Sequence, residues 1–508
     1  MAEVVHPLPP ARRALVTAVT LTATMMVVLD TTIAMVALPH MQATLGATSE
    51  TIAWVLTSYI LASAIALPIT GWLANRLGRR RLFMIAVGGF TLTSALCGVA
   101  NSLVMMVVAR LLQGIFGAFI MPLGQAVLFD INPRERHARA MATWGIVIVV
   151  GPILGPMVGG HLTDALDWRW VFFINVPIGL VATIGGLLLS PERGERRPFD
   201  LAGFAMLAIA LGALQLALDR GVQLDWFDST EIIIECGITL AALWMFAIHT
   251  ATARHPIVPI ELFRDRSFVV GLTLVAIVGA IFMSSAALLS PMLQTLLNYP
   301  VVNAGMVVMP RGIGTMAGMI LGSRLIKVVD GRITIVVGLA LVAWSLKMMT
   351  AFNLEMSARP VIISGLIQGL GLGLTMLPLN LLSFATIAVR LRTDAASLYS
   401  LTRNIGGSIA ISVGGALIAR NLQTSHADLG AHITAITVPL LDAGLIERMG
   451  QQSETALRLL DAEINHQALM IAYLDDYWLM MWAALLAMPL VLLMRPAKPG
   501  PEPIAIGE

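Results

Sequence analysis

The chain has 508 residues, of which 57% are hydrophobic and only 12% charged, with a mean hydropathy of +0.84. That composition excludes a water-soluble fold. The 32 Lys and Arg nearly balance the 30 Asp and Glu, which excludes a basic surface for nucleic acid and an acidic disordered tail.

Taken in chain order, the sequence reads as an all-α integral membrane protein. A hydrocarbon core about 30 Å thick needs roughly 20 mostly apolar residues per helix. Fourteen such runs are predicted, at residues 14–38, 52–73, 82–100, 103–129, 140–161, 170–190, 200–218, 230–251, 267–292, 303–322, 332–351, 359–384, 395–419 and 474–494. The first follows Arg12 and Arg13 but is long, contains Asp30 and lacks a small-residue cleavage site, so it reads as an uncleaved span. Cys97 and Cys236 both lie inside apolar runs, so neither a disulfide framework nor a Cys-x-x-Cys metal site is expected.

Orientation follows from the placement of Lys and Arg, because positively charged loops stay on the cytoplasmic side. With a cytoplasmic start, inner segments hold 22 of these residues and outer segments 6, while Arg110, Arg311, Lys347 and Arg403 lie within spans. Both termini, 1–13 and 495–508, are therefore expected in the cytoplasm. Residues 420–473 form the only sizeable extramembrane stretch, a polar outer segment in which parts such as "IERMGQQSETALRLLDAEINHQALMIAYL" have apolar residues at helical spacing and no Pro, which predicts amphipathic helices.

An internal repeat divides the chain. "RLLQGIFGAFIMPL" from Arg110 is echoed by "GLIQGLGLGLTMLPL" from Gly365, pairing Gln113 with Gln368. "GWLANRLGRRRLF" from Gly71 is likewise echoed by "GSRLIKVVDGRITIV" from Gly322. Residues 14–190 and 267–494 then form two six-helix bundles, with two inserted helices over 200–251. Duplicated bundles are a common transporter plan, with binding sites near the midplane.

Charged residues inside a bilayer cost several kcal/mol, so each is a functional candidate. Asp30 is the only carboxylate expected deep in a span. At about 1.5 Å per residue it shares a depth with Arg110, roughly 10 to 12 Å below the outer surface. Desolvation penalises its charged form while a nearby Arg favours it, so entry of water or substrate can switch its protonation. A static ion pair is the alternative. Arg311 and Arg403 are candidates to line a central cavity, where they would favour anionic or neutral amphipathic ligands; Lys347 is expected at the interface. Gly151, Gly155 and Gly159, with Pro152 and Pro156, form a small-residue stripe suited to close helix packing. Glu231 and Glu235 suit the N-terminal dipole of their own helix. No GxxxxGK[ST], HExxH or GxSxG pattern occurs and no His lies mid-span, so no nucleotide, metal or other cofactor is expected, and the energy source is an ion or substrate gradient.

These motifs resemble the major facilitator superfamily, in particular the fourteen-span drug:proton antiporters of the EmrB/QacA type. "LDTTIAMVALP", "GWLANRLGRRR", "RLLQG", "GPILGPMVGG" and "WRWVFFINVPIG" are similar to that family's segments over almost the whole chain. "LDRGVQLDWF" and the long stretch before the last span resemble its branch of Gram-negative inner-membrane pumps, which work in tripartite assemblies. The resemblance implies proton coupling at Asp30 and Arg110 and a substrate cavity near Gln113, Arg311, Gln368 and Arg403. It implies conformational gating by Gly71, Asn75, Arg76, Gly78, Arg79 and the helix 5 stripe of Gly151, Pro152, Gly155, Pro156 and Gly159. It further implies hydrophobic drugs, protons, the lipid bilayer, a periplasmic adaptor and an outer-membrane channel as partners, in a bacterial inner membrane. The family's loop motif has Asp where this chain has Asn75, so the lock between halves is either weaker or supplied by Asp130 or Asp330. A nutrient symporter and a non-transporting receptor or scaffold are the competing readings.

Overall fold

A computed structural model describes residues 9–190, 198–432 and 454–495. Fourteen helices in it are long and apolar enough to cross a membrane, and no strand occurs among the described residues. They are α1 Pro10–Leu45, α2 Trp54–Leu77, α3 Arg79–Gly98, α4 Leu103–Ile131, α5 His137–Ala165, α6 Trp170–Leu188 and α7 Leu201–Arg220. The rest are α8 Thr230–Thr252, α9 Arg266–Thr295, α10 Val301–Leu325, α11 Gly331–Met349, α12 Ala358–Phe384, α13 Arg392–Ala431 and α14 Glu454–Val491.

Local sequence sets the helix limits. Asp200, Ser102, Asp265 and Asp330 cap α7, α4, α9 and α11, each accepting a backbone N–H of the first turn. Gly46 closes α1 in a left-handed conformation, φ +62°. Inside α2 a short 3-10 turn spans Leu67–Ile69, where Pro68 lacks an N–H.

Glycines set the helix contacts. A Cβ at Gly369 would stand 1.9 Å from the Arg311 carbonyl oxygen, and one at Gly318 2.4 Å from that of Leu370, so α10 and α12 touch backbone to backbone. In the first bundle, Cβ atoms at Gly151 and Gly155 would fall 2.3 and 2.1 Å from the Val28 and Thr32 side chains, which brings α5 against α1. Helices α7 and α8 pack as a pair at the edge. Leu240 and Trp244 on α8 are 70% and 71% exposed, an apolar surface suited to lipid.

The two halves meet along α5 and α10, where Ile153 and Met319 fill the space beside Gly312 and Gly145. They also meet at the arginine-rich face, where the Ser397 hydroxyl donates to the Leu67 carbonyl. At the opposite ends of the same helices, the positions beside Gly160 and Gly305 are open. The molecule is thus joined at its arginine-rich face.

Helices α13 and α14 differ from expectation. Instead of ending near 419 and starting near 474, they continue to Ala431 and back from Glu454. Asn421 Nδ2 donates to Asp475 Oδ2 at 3.1 Å, and His426 Nε2 lies 2.9 Å from Asp461 Oδ1. The described parts of the stretch expected to lie outside the membrane, 420–432 and 454–473, are therefore extensions of the two spans; residues 433–453 lie outside the described ones. Hydropathy ends a span where apolar residues end, but a Pro-free run of helix formers continues the helix beyond that point.

Candidate functional site

Asp30 is 1% exposed and Arg110 fully buried. Arg110 Nη1 donates to Asp30 Oδ2 at 2.7 Å and also to Gln113 Oε1 at 2.7 Å. Gln113 Nε2 in turn donates to Asp30 Oδ1 at 2.9 Å. The three-residue spacing of Arg110 and Gln113 places both on one face of α4, opposite Asp30 on α1. Asn175 of α6 adds a third donor to the carboxylate at 2.8 Å and reaches the Ser94 hydroxyl of α3 at 3.1 Å. Arg110 Nε donates to the Val55 carbonyl of α2 at 3.1 Å, and the guanidinium lies 4.4 Å from the Tyr59 ring centre. Five helices, α1, α2, α3, α4 and α6, are thus tied into one network, and the two charges that share a depth in the sequence are in contact.

This network can act chemically in one way above all. Its ion pair is dry and hydrogen-bonded around the carboxylate, so removing either charge leaves the other uncompensated. One nitrogen, Arg110 Nη2, is buried without a partner. Asn175 and Tyr59 escaped the sequence reading. Asn175 could have been found as the one amide in the apolar segment "WRWVFFINVPIG", whereas Tyr59 depends on the rotation of α2.

Gln113, expected along a cavity wall, is instead enclosed in the Asp30 network. Its repeat partner Gln368 is equally buried, and neither side-chain polar atom has a hydrogen-bond partner. Arg311 turns into the second bundle, where Nη2 donates to the Phe282 carbonyl at 2.9 Å and the Ser285 hydroxyl at 2.8 Å. The stem of half-buried Arg403 covers Gly279 of α9. These three are not brought together with Asp30. Asp30 is not the only buried carboxylate among the described residues, because Asp476 on α14 is 2% exposed, near the outer end of the span expected there.

The loop motif lies at the arginine-rich face. Gly71 is covered by Asp394 of α13, whose Oδ1 would be 1.6 Å from an added Cβ. Asn75 is half-buried and lines a cleft of about 370 Å³ with Trp72, Asp200, Arg254 and Asp394. Exposed Arg76 stacks over Trp72 at 5.0 Å. Gly78 joins α2 to α3 at φ +82°, a conformation that disfavours any side chain. Arg79 pairs with Asp130, which also accepts from Arg392 Nη1 of α13 at 2.7 Å. Asp130 therefore carries the ionic link between halves, while Asp330 only caps α11 and pairs with Arg332. Of the helix 5 stripe, Gly151, Gly155 and Gly159 face α1 and Pro152 is exposed; the side chain of Pro156 lies outside the described ones. Glu231 forms an ion pair with Arg220 in addition to its place in the first turn of α8.

Comparison with known proteins follows the same lines. The family model described as Major Facilitator Superfamily matches residues 20–411. The chain is 33% identical over 463 residues to "Multidrug export protein EmrB" of Haemophilus influenzae, covering 90% of this chain and 91% of that one. It is 34% identical over 496 residues to "Fatty acid resistance protein FarB" of Neisseria gonorrhoeae, covering 96% and 98%. Among solved structures, the proton:xylose symporter XylE bound to a bromodeoxyglucose superposes with a TM-score of 0.61 at 14% identity, covering 94% and 95%. The human organic anion transporter MFSD10 gives 0.60 at 14% identity, covering 94% and 100%. Those two likenesses concern the fold.

Proposed function

Because the chain belongs to the Major Facilitator Superfamily and is a secondary transporter, not an enzyme, we propose that it exports hydrophobic and amphipathic compounds in exchange for protons. The relatives named for multidrug export and fatty acid resistance support the direction and breadth of transport. The observation that carries the coupling is the buried Asp30 and Arg110 pair. A proton arriving from the outer side neutralises Asp30, weakens its hold on Arg110 and frees α1 to shift against α4 and α6. Loss of the proton to the cytoplasm restores the pair and the affinity for substrate.

The two bundles, 14–190 and 267–494, move against each other, with the 200–251 pair carried at the edge. Closure on the arginine-rich side uses Gly71, Asn75, Arg76, Gly78 and Arg79 with Asp130; the Gly151, Gly155 and Gly159 stripe, flanked by Pro152 and Pro156, seals α5 on α1. The arginine-rich side is cytoplasmic, both termini included, and the protein lies in a bacterial inner membrane. In proteoliposomes with an inward proton gradient, the protein should drive dye outward against its own gradient. Absence of any proton-dependent flux overturns the reading, and accumulation inside whole cells would indicate import.

Arg311, Arg403 and Gln368 belong to the second half's side of the substrate path. Arg311 is buried, with no carboxylate bonded to it among the described residues, so lipophilic weak acids and neutral aromatics should be exported better than dications. Resistance assays showing strong protection against dications and none against lipophilic acids would reverse this preference.

The extended ends of α13 and α14 are the docking element for a periplasmic adaptor, which passes substrate to an outer-membrane channel. Replacing residues 426–465 by a short flexible linker should abolish resistance in cells while sparing proton-driven transport in liposomes. Loss of both activities would assign the segment to the transporter's own fold.

A further inference from the structure

The first half surrounds its buried carboxylate with donors, and the second half holds one without them. Asp476 Oδ2 is buried and has no hydrogen-bond partner, and no cation lies within ion-pair distance among the described residues. The facing residue on α13 is Gly414. A Cβ there would stand 3.2 Å from Asp476 Oδ2 and 3.4 Å from the Ser284 hydroxyl of α9, so carboxylate and hydroxyl look at each other across a glycine. Ser284 Oγ itself reaches only the Ala410 carbonyl, at 3.5 Å.

No element packed on Asp476 brings a compensating charge beside it among the described residues. On α14 the neighbours are Tyr473, Tyr477 and exposed Asp475, which accepts from Asn421. Tyr477 Oη is turned to the Met292 sulfur, at 3.7 Å. The only charged residue of α9 is Arg266, at its far end. On α13 the closest cations are Arg403 and Arg420, about three turns before and nearly two turns after Gly414. Helix α11, packed on the other side of α14, brings exposed Lys347 and, at its far end, Arg332 paired with Asp330, and Arg311 of α10 is held by Phe282 and Ser285.

An ionised carboxylate so placed costs several kcal/mol, a cost the neutral acid avoids. Its chain neighbour Asp475 is exposed at the end of the bundle opposite the arginines, where it accepts from Asn421. We infer that Asp476 is a second proton carrier, loaded through Asp475 from that face and emptied when α13 moves relative to α9 and α14. This rests on the proton-exchange reading above. The proton passes from hydronium to the Asp475 carboxylate and on to that of Asp476, and leaves to water on the release side, so both carboxylates are regenerated each cycle.

The test uses the full-length protein, with Asp476→Asn, Asp476→Glu and the wild type. In difference infrared spectra of purified protein between acid and alkaline pH, the wild type should show a protonated-carboxyl band that Asp476→Asn lacks and Asp476→Glu shifts. In liposomes with the membrane potential clamped at zero, Nile red is the probe, and the dye gradient at which net flux stops is measured. A one-unit pH gradient should balance roughly a 100-fold dye gradient for two protons in the wild type and about a tenfold one in Asp476→Asn. An unchanged infrared band, or an unchanged balance point in a variant that still transports, overturns the inference while leaving the Asp30 mechanism intact. No proton-dependent flux in the wild type would instead defeat the exchange reading. If Asp476→Asn does not fold, the Asp476→Glu band shift decides, and its absence overturns the proposal.

Discussion

Arg110→Ala should abolish proton-driven transport and lower the stability of the fold by about 3–5 kcal/mol, the usual cost of stripping one partner from a buried pair. The side chain is wholly enclosed and bridges Asp30, Gln113 and the Val55 carbonyl, so its loss leaves a dry carboxylate facing only two amides. Asp30→Asn tests the same network from the other side. Asn resembles the protonated acid in shape and charge, so dye exchange should persist while the dye gradient that a one-unit pH gradient can balance falls about tenfold, the share of the proton carried by Asp30. Because the cost of each single change comes from the stranded charge, combining Asp30→Asn with Arg110→Ala should give a protein more stable than Arg110→Ala alone. Thermal melts in detergent, paired with liposome flux, check all three variants. Strict additivity of the two destabilisations would show that the pair does not act as a unit.

Gly71→Val should reduce transport to background without unfolding either bundle. Gly71 faces the first turn of α13 across the junction between halves, and a Cβ would overlap the Asp394 carboxyl and approach its Cα to 3.1 Å. A branched side chain therefore forces α13 away, and with it Arg392 from Asp130 and Ser397 from Leu67. A cysteine placed at Ser397, buried in the closed arrangement, should then react with a hydrophilic maleimide at least about tenfold faster, the signature of an opening made cheaper by 1.4 kcal/mol or more. Adding Asp394→Ala to the smaller Gly71→Ala should recover part of the activity, because the overlapping group is removed. Unchanged labelling in Gly71→Val would mean that the closure does not depend on this contact.

Much of the architecture was legible in the amino acids because lipid imposes a length rule on apolar runs and a charge rule on loops. All fourteen spans appear with limits shifted by a few residues, except where α13 and α14 continue through polar sequence. The meeting of Asp30 with Arg110 was readable from depth alone, since an intramembrane acid and base at one level have strong reason to pair. Asn175 was readable as the one amide of an apolar segment, whereas Tyr59 and the enclosed position of Gln113 were not, because they depend on helix rotation, which short apolar motifs do not fix. Asp476 was hidden for another reason. A hydropathy window begins the last span beside it, whereas the helix begins at Glu454 and carries it into a packed junction with α9 and α13. The Gly71 contact lies between sequence positions more than three hundred residues apart, and only the assembled halves reveal it.

Helix α13 starts at the junction with Asp130 and ends beside Asp461, a single uninterrupted rod of 40 residues. At 1.5 Å per residue it is about 60 Å long, so a tilt of about 10° at the arginine-rich end would sweep its far tip through roughly 10 Å. Any molecule resting on that tip would feel the state of a contact on the other side of the membrane. Opening of the seal at the arginine-rich face and movement of the far ends of α13 and α14 are then one lever stroke, and a dye attached near His426 would report the transport cycle from the opposite face.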